Sequence, residues 1–439
     1  MSLADDLAAV PSGASFWLKN GRLPGVLVPD AELPRLSDGL CPADIRIEAG
    51  RIQAIEPPAA RDGDQVNLRQ GLIWPGFVDM HTHLDKGHIW PRQANPDGTF
   101  MGALNSVRSD CAANWSADDV HARADFSLRT AYAHGTTAIR THIDSMPPQD
   151  AISWPVFEKL RDEWSGRIAL QAVSLIGIEA VREPGLLNAI ADRVKAADGV
   201  LGAVTYMVDD LRPLLIEIFE AASSRGLDLD FHVDESVDPG ARSLEIIADL
   251  ALETGFGGRI VCGHCCSLSV LSESDVMRVL AKLATAQIGI VSLPMCNMYL
   301  QDRHPGTTPR VRGVTLIQEM QAAGIDVAIA SDNTRDPFYA YGDLDGLEVF
   351  REAVRIGHLD HPIEEAPSLI TATPAKLMGL AQLGWIKAGG SADLILFNGR
   401  TYTELLSRPE AGRIVLRAGR PIDRILPDYR DLDARLGAV

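Results

Sequence analysis

Short apolar runs alternate along this chain with longer stretches in which apolar residues recur every three or four positions, from about residue 74 to residue 380. The short runs predict buried β-strands, and the longer stretches predict amphipathic helices. The predicted strands span residues 73–83, 136–144, 168–176, 200–208, 227–235, 259–265, 288–294 and 326–332. The predicted helices between them include residues 117–134, 214–225, 243–254, 272–286 and 315–323. This series of eight β-α units predicts an α/β fold, namely a (β/α)8 TIM-like barrel.

The two ends of the chain follow a different pattern. Both are rich in glycine, proline and short β-like pieces such as residues 44–47 and 413–416. We expect these ends to form one small composite β-sandwich domain from residues 1–72 and 384–439. Residues 73–383 then form the barrel domain.

Ionisable side chains cluster where the predicted barrel strands end. Barrel enzymes build their active sites on the face formed by the carboxyl ends of the strands, and burying many charged groups there for structural reasons alone would be costly. We therefore expect a catalytic site on this face. Its candidate residues are His81, His83, His142, Asp144, His232, Glu235, His264 and Asp332.

His81 and His83 indicate the chemistry of the site. Residues two apart on a β-strand point to the same face, so both imidazoles can bind one ion. With His232 and Asp332 they form a ligand set typical of a single divalent metal ion, Zn²⁺ or Fe²⁺. Individually, His232 could be a hydrogen-bonded core residue and Asp332 could begin a turn. A second metal is not expected, because residues 200–208 contain neither lysine nor glutamate to bridge two ions.

The remaining candidates suggest how such a metal would be used. A bound divalent ion lowers the pKa of its water from about 15.7 to about 7. Glu235 is placed to carry the proton to a leaving nitrogen as a general acid–base, although a salt bridge in a loop is the alternative. His264 is either a further ligand or a hydrogen-bond partner of the attacking water or of a substrate oxygen. His142 and Asp144 either support the metal ligands or are purely structural.

Charge and composition narrow the class of partner. The formal net charge of −18 argues against nucleic acid or an anionic membrane and favours a small neutral or cationic substrate. The first six residues carry acids where a secretory signal would carry basic residues, which predicts a cytoplasmic protein. Residues 283–300 are uncharged, but Gln287, Pro294 and Asn297 interrupt them and predict a buried strand followed by a loop rather than a membrane span.

A thiol oxidoreductase is a competing class, because Cys262 and Cys265 form a C-x-x-C motif. That motif normally opens a helix, whereas here it ends an apolar run. Strand alternation would also send the two thiols to opposite faces. We expect the cysteines to be reduced and structural.

The chain resembles the amidohydrolase superfamily over nearly its whole length, and more closely its cytosine deaminase branch. The motifs that carry the resemblance are PGFVDMHTHLDK at 75–86, GTTAIRTHID at 135–144, HVDE at 232–235, GHCCS at 263–267, LPMCNMYLQDR at 293–303 and SDNTRDPF at 331–338. The resemblance implies hydrolytic deamination of a small nitrogen heterocycle, cytosine or a related pyrimidine, with release of ammonia. It also implies one metal ion held by His81, His83, His232 and Asp332, with Glu235 as the proton shuttle and His264 polarising the water.

The departures from the family pattern concern the substrate. Residues 174–177 lack the glutamine with which cytosine deaminases read the base, Asn333 replaces a second aspartate, and Phe338 stands where tryptophan is usual. We expect Asn333, Phe338 and Gln301 to contact the substrate. The motif at 331–336 also resembles that of N-isopropylammelide amidohydrolase-type enzymes, so an N-substituted aminotriazine is the second candidate substrate. A barrel scaffold without catalysis is the third alternative, and a homo-oligomer is left open.

Overall fold

The computed structural model describes residues 3–8, 10, 15–409 and 412–437. The strands in these ranges are β1 (Phe16–Pro24), β2 (Leu40–Glu48), β3 (Arg51–Glu56), β4 (Asp64–Asn67), β5 (Ile73–Pro75), β6 (Phe77–Thr82), β7 (Thr136–Asp144), β8 (Ala169–Leu175), β9 (Leu201–Thr205), β10 (Leu229–Val233), β11 (Ile260–His264), β12 (Gly289–Ser292), β13 (Val327–Ile329), β14 (Leu394–Phe397), β15 (Arg413–Arg417) and β16 (Arg420–Pro421).

The helices of the described residues separate most of these strands. They are α1 (Leu3–Ala8), α2 (Phe100–Asn114), α3 (Ala117–His134), α4 (Asp150–Glu163), α5 (Leu186–Ala196), α6 (Leu211–Arg225), α7 (Ser243–Thr254), α8 (Glu273–Ala286), α9 (Pro294–Leu300), α10 (Ile317–Ala322), α11 (Gly346–Gly357), α12 (Ala372–Leu377), α13 (Tyr402–Ser407) and α14 (Asp433–Leu436).

Strands β6 to β13 close into a barrel, as the alternating pattern predicts. β9 to β13 form a parallel sheet of five strands, and β6 to β8 form a sheet of three. Parallel bridges from Val173 to Val200 and from Gly177 to Val204 join the two sheets on one side. A parallel bridge from Thr82 to Asp332 joins them on the other. The predicted (β/α)8 barrel is therefore confirmed: β7 has the predicted bounds, and the other seven strands are shorter than the apolar runs that predict them.

The first predicted strand, residues 73–83, is two strands separated at Gly76. Its beginning, β5, pairs antiparallel with β14, whereas β6 belongs to the barrel. A Cβ atom at Gly76 would lie 2.3 Å from Cγ2 of Thr137, so only glycine permits this close approach. The prediction of one strand was wrong because an apolar run looks the same on both sides of a change of pairing partner.

One compact unit consists of residues 1–78, 130–138 and 345–426. It contains two four-stranded sheets, ordered β3-β2-β1-β4 and β16-β15-β14-β5. Side chains from both chain ends, including Leu18, Ile45, Leu394 and Leu416, share one buried apolar cluster. Since neither sheet alone buries its apolar face, the two ends form the expected β-sandwich.

The predicted boundaries, 1–72 with 384–439 against 73–383, stay a prediction. They include residues 1, 2, 9, 11–14, 410, 411, 438 and 439, which lie outside the described ranges.

The second compact unit consists of residues 79–129, 139–344 and 427–439 and carries the carboxyl ends of the barrel strands. The uncharged stretch at 283–300 contains the end of α8, then β12 and then α9, so the segment predicted as a loop is a short helix. Pro294 stands in the first turn of this helix, where its missing N–H costs nothing. Among the described residues, no helix is long and apolar enough to cross a membrane.

A buried ion pair holds the beginning of α11. Asp345 accepts a hydrogen bond of 2.9 Å from the Leu347 N–H, and both of its carboxylate oxygens accept from the guanidinium of Arg413. Burial alone would raise the pKa of Asp345. The charges of Arg413 and His134 nevertheless lower it to about 2.

We expect Asp345→Asn to lower the free energy of unfolding by about 2 kcal/mol, because it leaves the buried Arg413 charge without its counter-ion. In the native protein this stabilisation is complete above pH 4 and is lost as the pH falls from about 4 to about 2, because the folded-state pKa is the lower one. Urea unfolding at pH 7 and pH 3 measures both effects. Glu352→Gln, at a partly exposed residue of the same helix that pairs with Arg355, is the control and should change stability by less than about 0.5 kcal/mol. Equal losses in the two variants would contradict the role of Asp345.

Candidate active site and metal centre

The four predicted metal ligands converge at the carboxyl ends of β6, β10 and β13. Nε2 of His232 lies 3.2 Å from Nε2 of His81 and 3.3 Å from Nε2 of His83. Oδ1 of Asp332 lies 3.3 Å from Nε2 of His83 and 3.7 Å from Nε2 of His81. Tetrahedral ligands with bonds of about 2.0–2.1 Å to a metal are about 3.3–3.4 Å apart. His81, His83 and Asp332 therefore lie close enough to share one divalent ion, and His232 adjoins the two histidines at the same spacing.

The protonation of the three histidines agrees with this fit. Each ring is buried, and burial lowers the pKa of His81, His83 and His232 well below the usual value. The nearby charge of Lys86 acts in the same direction. The imidazoles are thus neutral near pH 7, which is the form that donates a lone pair to a metal.

Backbone geometry at two site residues is unusual. His264 has φ 67° and Asp332 has φ 63°, both in the left-handed region that side chains other than glycine seldom adopt. At Asp332 the conformation is held by two hydrogen bonds: its N–H donates to the His81 carbonyl at 2.9 Å, and its carbonyl accepts from the Thr82 hydroxyl at 2.8 Å. Such conformations persist where the surrounding structure imposes them, which is frequent at functional sites.

His142 lies inside the histidine cluster. Its ring centroid is 4.0 Å from that of His81 and 4.6 Å from that of His232, and these three residues form a second group whose nitrogens could share an ion. Behind it, Asp230 accepts a hydrogen bond of 2.8 Å from Arg140. The His142 ring therefore lies directly against two of the predicted ligands, His81 and His232.

Asp144 occupies a different place from His142. Its carboxylate lies 3.5 Å from the ammonium nitrogen of Lys86, and its N–H donates to the carboxylate of Asp85 at 2.8 Å. Lys86 is only 5% exposed. Its ammonium also lies 5.6 Å from the ring centroid of Phe338. The structure thus reveals a buried lysine beside the site.

Glu235 and His264 both contact Asn297, which stands out in the sequence only as an interruption of an apolar run. Nδ2 of Asn297 lies 2.9 Å from Nδ1 of His264 and 3.4 Å from Oε1 of Glu235. Since Nδ2 can only donate, Nδ1 of His264 accepts and the ring proton sits on Nε2. Asn297 therefore orients both residues, and its position on α9, facing the barrel, is the signal that could have identified it.

Burial sets the charge of both groups. It raises the pKa of Glu235 well above its usual range, and the neighbouring Asp332 raises it further. Burial also lowers the pKa of His264 to about 3, so the ring is neutral. A carboxyl group with a raised pKa can both accept and return a proton near pH 7, and a neutral imidazole can donate its Nε2–H.

Of the three residues expected to contact the substrate, Gln301 contacts Glu235, whereas Asn333 and Phe338 lie in the segment after β13. Nδ2 of Asn333 donates to Asp336 at 2.7 Å, and Nε2 of Gln301 donates to the backbone carbonyl of Glu235 at 3.2 Å. Phe338 is 9% exposed and packs edge-on against Phe100 at 5.4 Å. Both amides thus have protein partners, and their substrate contacts stay a prediction.

The C-x-x-C motif does not form a reactive pair. Cys262 and Cys265 are fully buried, and all six cysteines are free. Burial raises the thiol pKa of both residues well above the usual value, which keeps them in the unreactive protonated form.

Both the sequence and the structure of this chain match those of known proteins. The model of the amidohydrolase family matches residues 116–423. Pterin deaminase of Rhizobium rhizogenes is 52% identical over 430 residues, which cover 98% of each chain. This chain belongs to the amidohydrolase family. It is accordingly a hydrolase of non-peptide C–N bonds, and the scaffold alternative is set aside.

Solved structures share the fold of this amidohydrolase. 5-Methylcytosine deaminase from Klebsiella pneumoniae matches with a TM-score of 0.81 at 23% identity, covering 95% of this chain and 98% of that chain. N-isopropylammelide isopropylaminohydrolase from Burkholderia multivorans matches with a TM-score of 0.72 at 25% identity, covering 93% and 98%. The resemblance inferred from the motifs is therefore confirmed at the level of the family and the fold.

We expect the amidohydrolase, purified after growth with added zinc or iron, to carry about one metal ion per chain. His232→Ala should lose most of this metal, because it removes one of four converging ligands while circular dichroism still shows a folded protein. Elemental analysis measures the content. The control is His121→Ala. His121 is a partly exposed histidine on α3 that pairs with Glu163, and this variant should keep the metal. Unchanged metal content in His232→Ala would refute the ligand set.

Asn297→Ala should lower kcat about 10- to 100-fold at unchanged metal content, because it frees the orientation of Glu235 and His264. Asn297→Asp should be at least as impaired, since a carboxylate cannot donate to Nδ1 of His264. Steady-state kinetics and elemental analysis on the same preparations test this. Asn188→Ala, on the surface of α5, is the control. If kcat stays within about twofold in Asn297→Ala, the orienting role is wrong.

Proposed function

We propose that this amidohydrolase hydrolytically deaminates a pterin, replacing the exocyclic amino group of the 2-amino-4-oxopteridine ring by oxygen and releasing ammonia. The observation that carries the proposal is the 52% identity, over 98% of the chain, to the pterin deaminase of Rhizobium rhizogenes. The converging histidines, Asp332 and Glu235 supply the groups that such a hydrolysis needs.

A pterin as the substrate also agrees with the sequence features that depart from the cytosine deaminase pattern. Its pyrimidine half carries an amino group on a carbon between two ring nitrogens, so the reacting centre is of the amidine type expected for this family. Residues 174–177, at the end of β8, offer no side-chain amide to read a single pyrimidine ring. Cytosine remains the second candidate and an N-substituted aminotriazine the third.

When bound, one divalent ion, Zn²⁺ or Fe²⁺, would supply Lewis acidity at His81, His83, His232 and Asp332 and lower the pKa of water toward about 7. Glu235 accepts the proton of the attacking water. The Nε2–H of His264 donates a hydrogen bond to the attacking oxygen, in the tautomer that Asn297 imposes. One C–O bond forms and one C–N bond breaks.

The proton held by Glu235 then goes to the departing nitrogen, which leaves as ammonia. Water and the 2-amino-4-oxopteridine ring thus give the oxo product and ammonia with no other reactant. The raised pKa of Glu235 suits this role, because the group must hold the proton between the two steps. We assign Phe338, Asn333 and Gln301 to contact with the substrate, with the Phe338 ring stacking on it. A cytoplasmic location and a homo-oligomeric state stay predictions.

We expect the metal-loaded enzyme to release ammonia from pterin with a higher kcat/KM than from cytosine, 5-methylcytosine, isocytosine or an N-alkyl ammelide. Glu235→Gln should keep the metal and lose about 10²- to 10⁴-fold in kcat, since it deletes the proton carrier. Glu220→Gln, an exposed glutamate on α6, is the matched control and should retain full activity.

The outcomes of this panel separate the candidates. Faster release of ammonia from a pyrimidine would favour the second candidate, cytosine. Faster release of an alkylamine from a triazine would favour the third candidate. If the metal-loaded enzyme released neither ammonia nor an alkylamine from any compound, all three substrates would be refuted. The assignment to the hydrolase family would be unaffected. Near-normal turnover in Glu235→Gln would remove Glu235 from the mechanism.

A further inference from the structure

Lys86 is a buried cation in the turn that follows β6, three positions after His83. A buried ammonium group is costly unless its charge and its N–H groups find partners. The proton-transfer steps assigned to Glu235 and His264 do not use it. Its place beside the site therefore calls for a physical reason.

The ammonium group is charged near pH 7. Burial lowers the pKa of Lys86, but the carboxylates of Asp144, Asp85 and Asp336 outweigh burial and raise the pKa above its usual value. Nζ therefore carries three N–H donors and no acceptor. The same three acids balance the positive charge, so the ammonium is not an open site for an anion.

The protein occupies few of these N–H donors. Oδ1 of Asp144 lies 3.5 Å from Nζ of Lys86, which is the outer limit of a hydrogen bond. Among the residues that the structure describes, no other side chain or carbonyl accepts a hydrogen bond from this ammonium. At least two N–H groups of a buried cation are therefore left for a ligand.

The ammonium group lies toward the candidate active site. Nζ is 5.6 Å from the ring centroid of Phe338, the ring assigned to stacking on the substrate. Burial and then the charge of Lys86 lower the pKa of His83. At Glu235, burial raises the pKa and the same charge opposes that shift. A planar ring stacked on Phe338 thus brings its edge near a charged N–H donor.

The backbone around Lys86 is fixed on both sides. The guanidinium of Arg123 on α3 donates to the carbonyl of Asp85 at 2.5 Å and to that of Gly87 at 3.0 Å. Arg123 is fully buried, and its other N–H groups donate to Asp119 at 2.7 and 2.9 Å. The donor is thus held in place before a ligand binds, which lowers the entropy lost on binding.

The amide donors beside the site already have protein partners. This holds for the side chains of Asn297, Gln301 and Asn333. Residues 174–177, at the end of β8, offer no side-chain amide. Among these candidates, Lys86 is the donor whose N–H groups the protein leaves unused.

We propose that Lys86 determines substrate specificity: its ammonium donates a hydrogen bond to the oxo oxygen that the substrate ring carries one ring atom away from the reacting carbon. The inference rests on the proposed function for the identity of the ring, and in a pterin this oxygen is O4. Cytosine and an ammelide carry an oxo group in the same relation to the reacting carbon. The neighbouring acids balance the charge of Lys86, which suits a neutral oxo oxygen better than a carboxylate.

A pair of fragments tests this contact without turnover. Quinazolin-4(3H)-one carries the oxo group on a bicyclic ring that has no exocyclic amino group, and quinazoline lacks the oxygen. In calorimetric titrations, the metal-loaded native enzyme should bind the oxo fragment about tenfold or more tightly. Lys86→Met should lose affinity for the oxo fragment alone. Lys159→Met, at an exposed lysine of α4, is the matched control and should keep the preference.

A kinetic comparison tests the same contact during the reaction. In 2,4-diaminopteridine an amino group replaces O4 and offers the ammonium no acceptor. The native enzyme should favour pterin in kcat/KM for loss of the amino group at C2, followed by chromatography of the products. In Lys86→Met this preference should fall about tenfold or more, mainly through KM. A purely structural lysine would lower both rates alike.

The outcomes separate this contact from the proposed function. If the native enzyme binds both fragments equally or neither of them, or if Lys86→Met weakens both alike, the contact is overturned. A preference for the oxo fragment that depends on Lys86, without turnover of pterin, would keep the contact and refute only the pterin ring. Turnover of pterin with an unchanged preference in Lys86→Met would refute the contact and leave the proposed function intact.

A second variant covers the case in which Lys86→Met does not fold. Lys86→Gln keeps a polar end group, but its amide is neutral and the side chain is one atom shorter. The preference for the oxo fragment should therefore fall in this variant as well. A native preference that Lys86→Gln retains in full would contradict the contact.

Discussion

One backbone hydrogen bond, from the N–H of Asp332 to the carbonyl of His81, fixes the geometry on which the site depends. It joins the end of the last barrel strand to the first at the level where the predicted metal-binding side chains leave the backbone. A shift of this pairing by one residue would turn His81 and His83 to the opposite face. The closeness of ligands separated by about 250 positions is therefore a property of barrel closure, and the left-handed conformation of Asp332 is its local consequence.

The burial that assembles the ligands also sets the charges around them. In a low-dielectric interior the neutral form of each group is favoured, so the histidines lose their protons while the carboxyl groups tend to keep theirs. Burial raises the pKa of Asp332 to about 7 and that of Asp336 to about 6. Lys86 is a buried cation among these acids and opposes both shifts. A divalent ion would act in the same sense, and its binding therefore favours ionised Asp332.

The sequence predicted the parts of this structure that depend on periodicity. All eight barrel strands and the strand ends that carry the predicted ligands followed from apolar runs. A buried parallel strand must be apolar, and the active site of a barrel lies at the carboxyl ends of its strands. The break at Gly76 did not follow, since pairing partners are not encoded in local hydropathy. Asn297 was missed for a related reason: the role of an amide in an apolar run becomes apparent only when burial and distances are known.

The short helix α9 shows how such residues depend on their surroundings. One face presents Asn297 and Gln301 to Glu235, and Met298 and Tyr299 line a cavity of about 650 Å³. A seven-residue helix is too short to be stable by itself, so its position depends on packing on both sides. A change on the outer face can therefore displace Asn297, and through it alter the tautomer of His264 and the orientation of Glu235, without replacing any group that moves a proton. The packing of α9 and the alignment of the proton-transfer groups are thus coupled through one element of the fold.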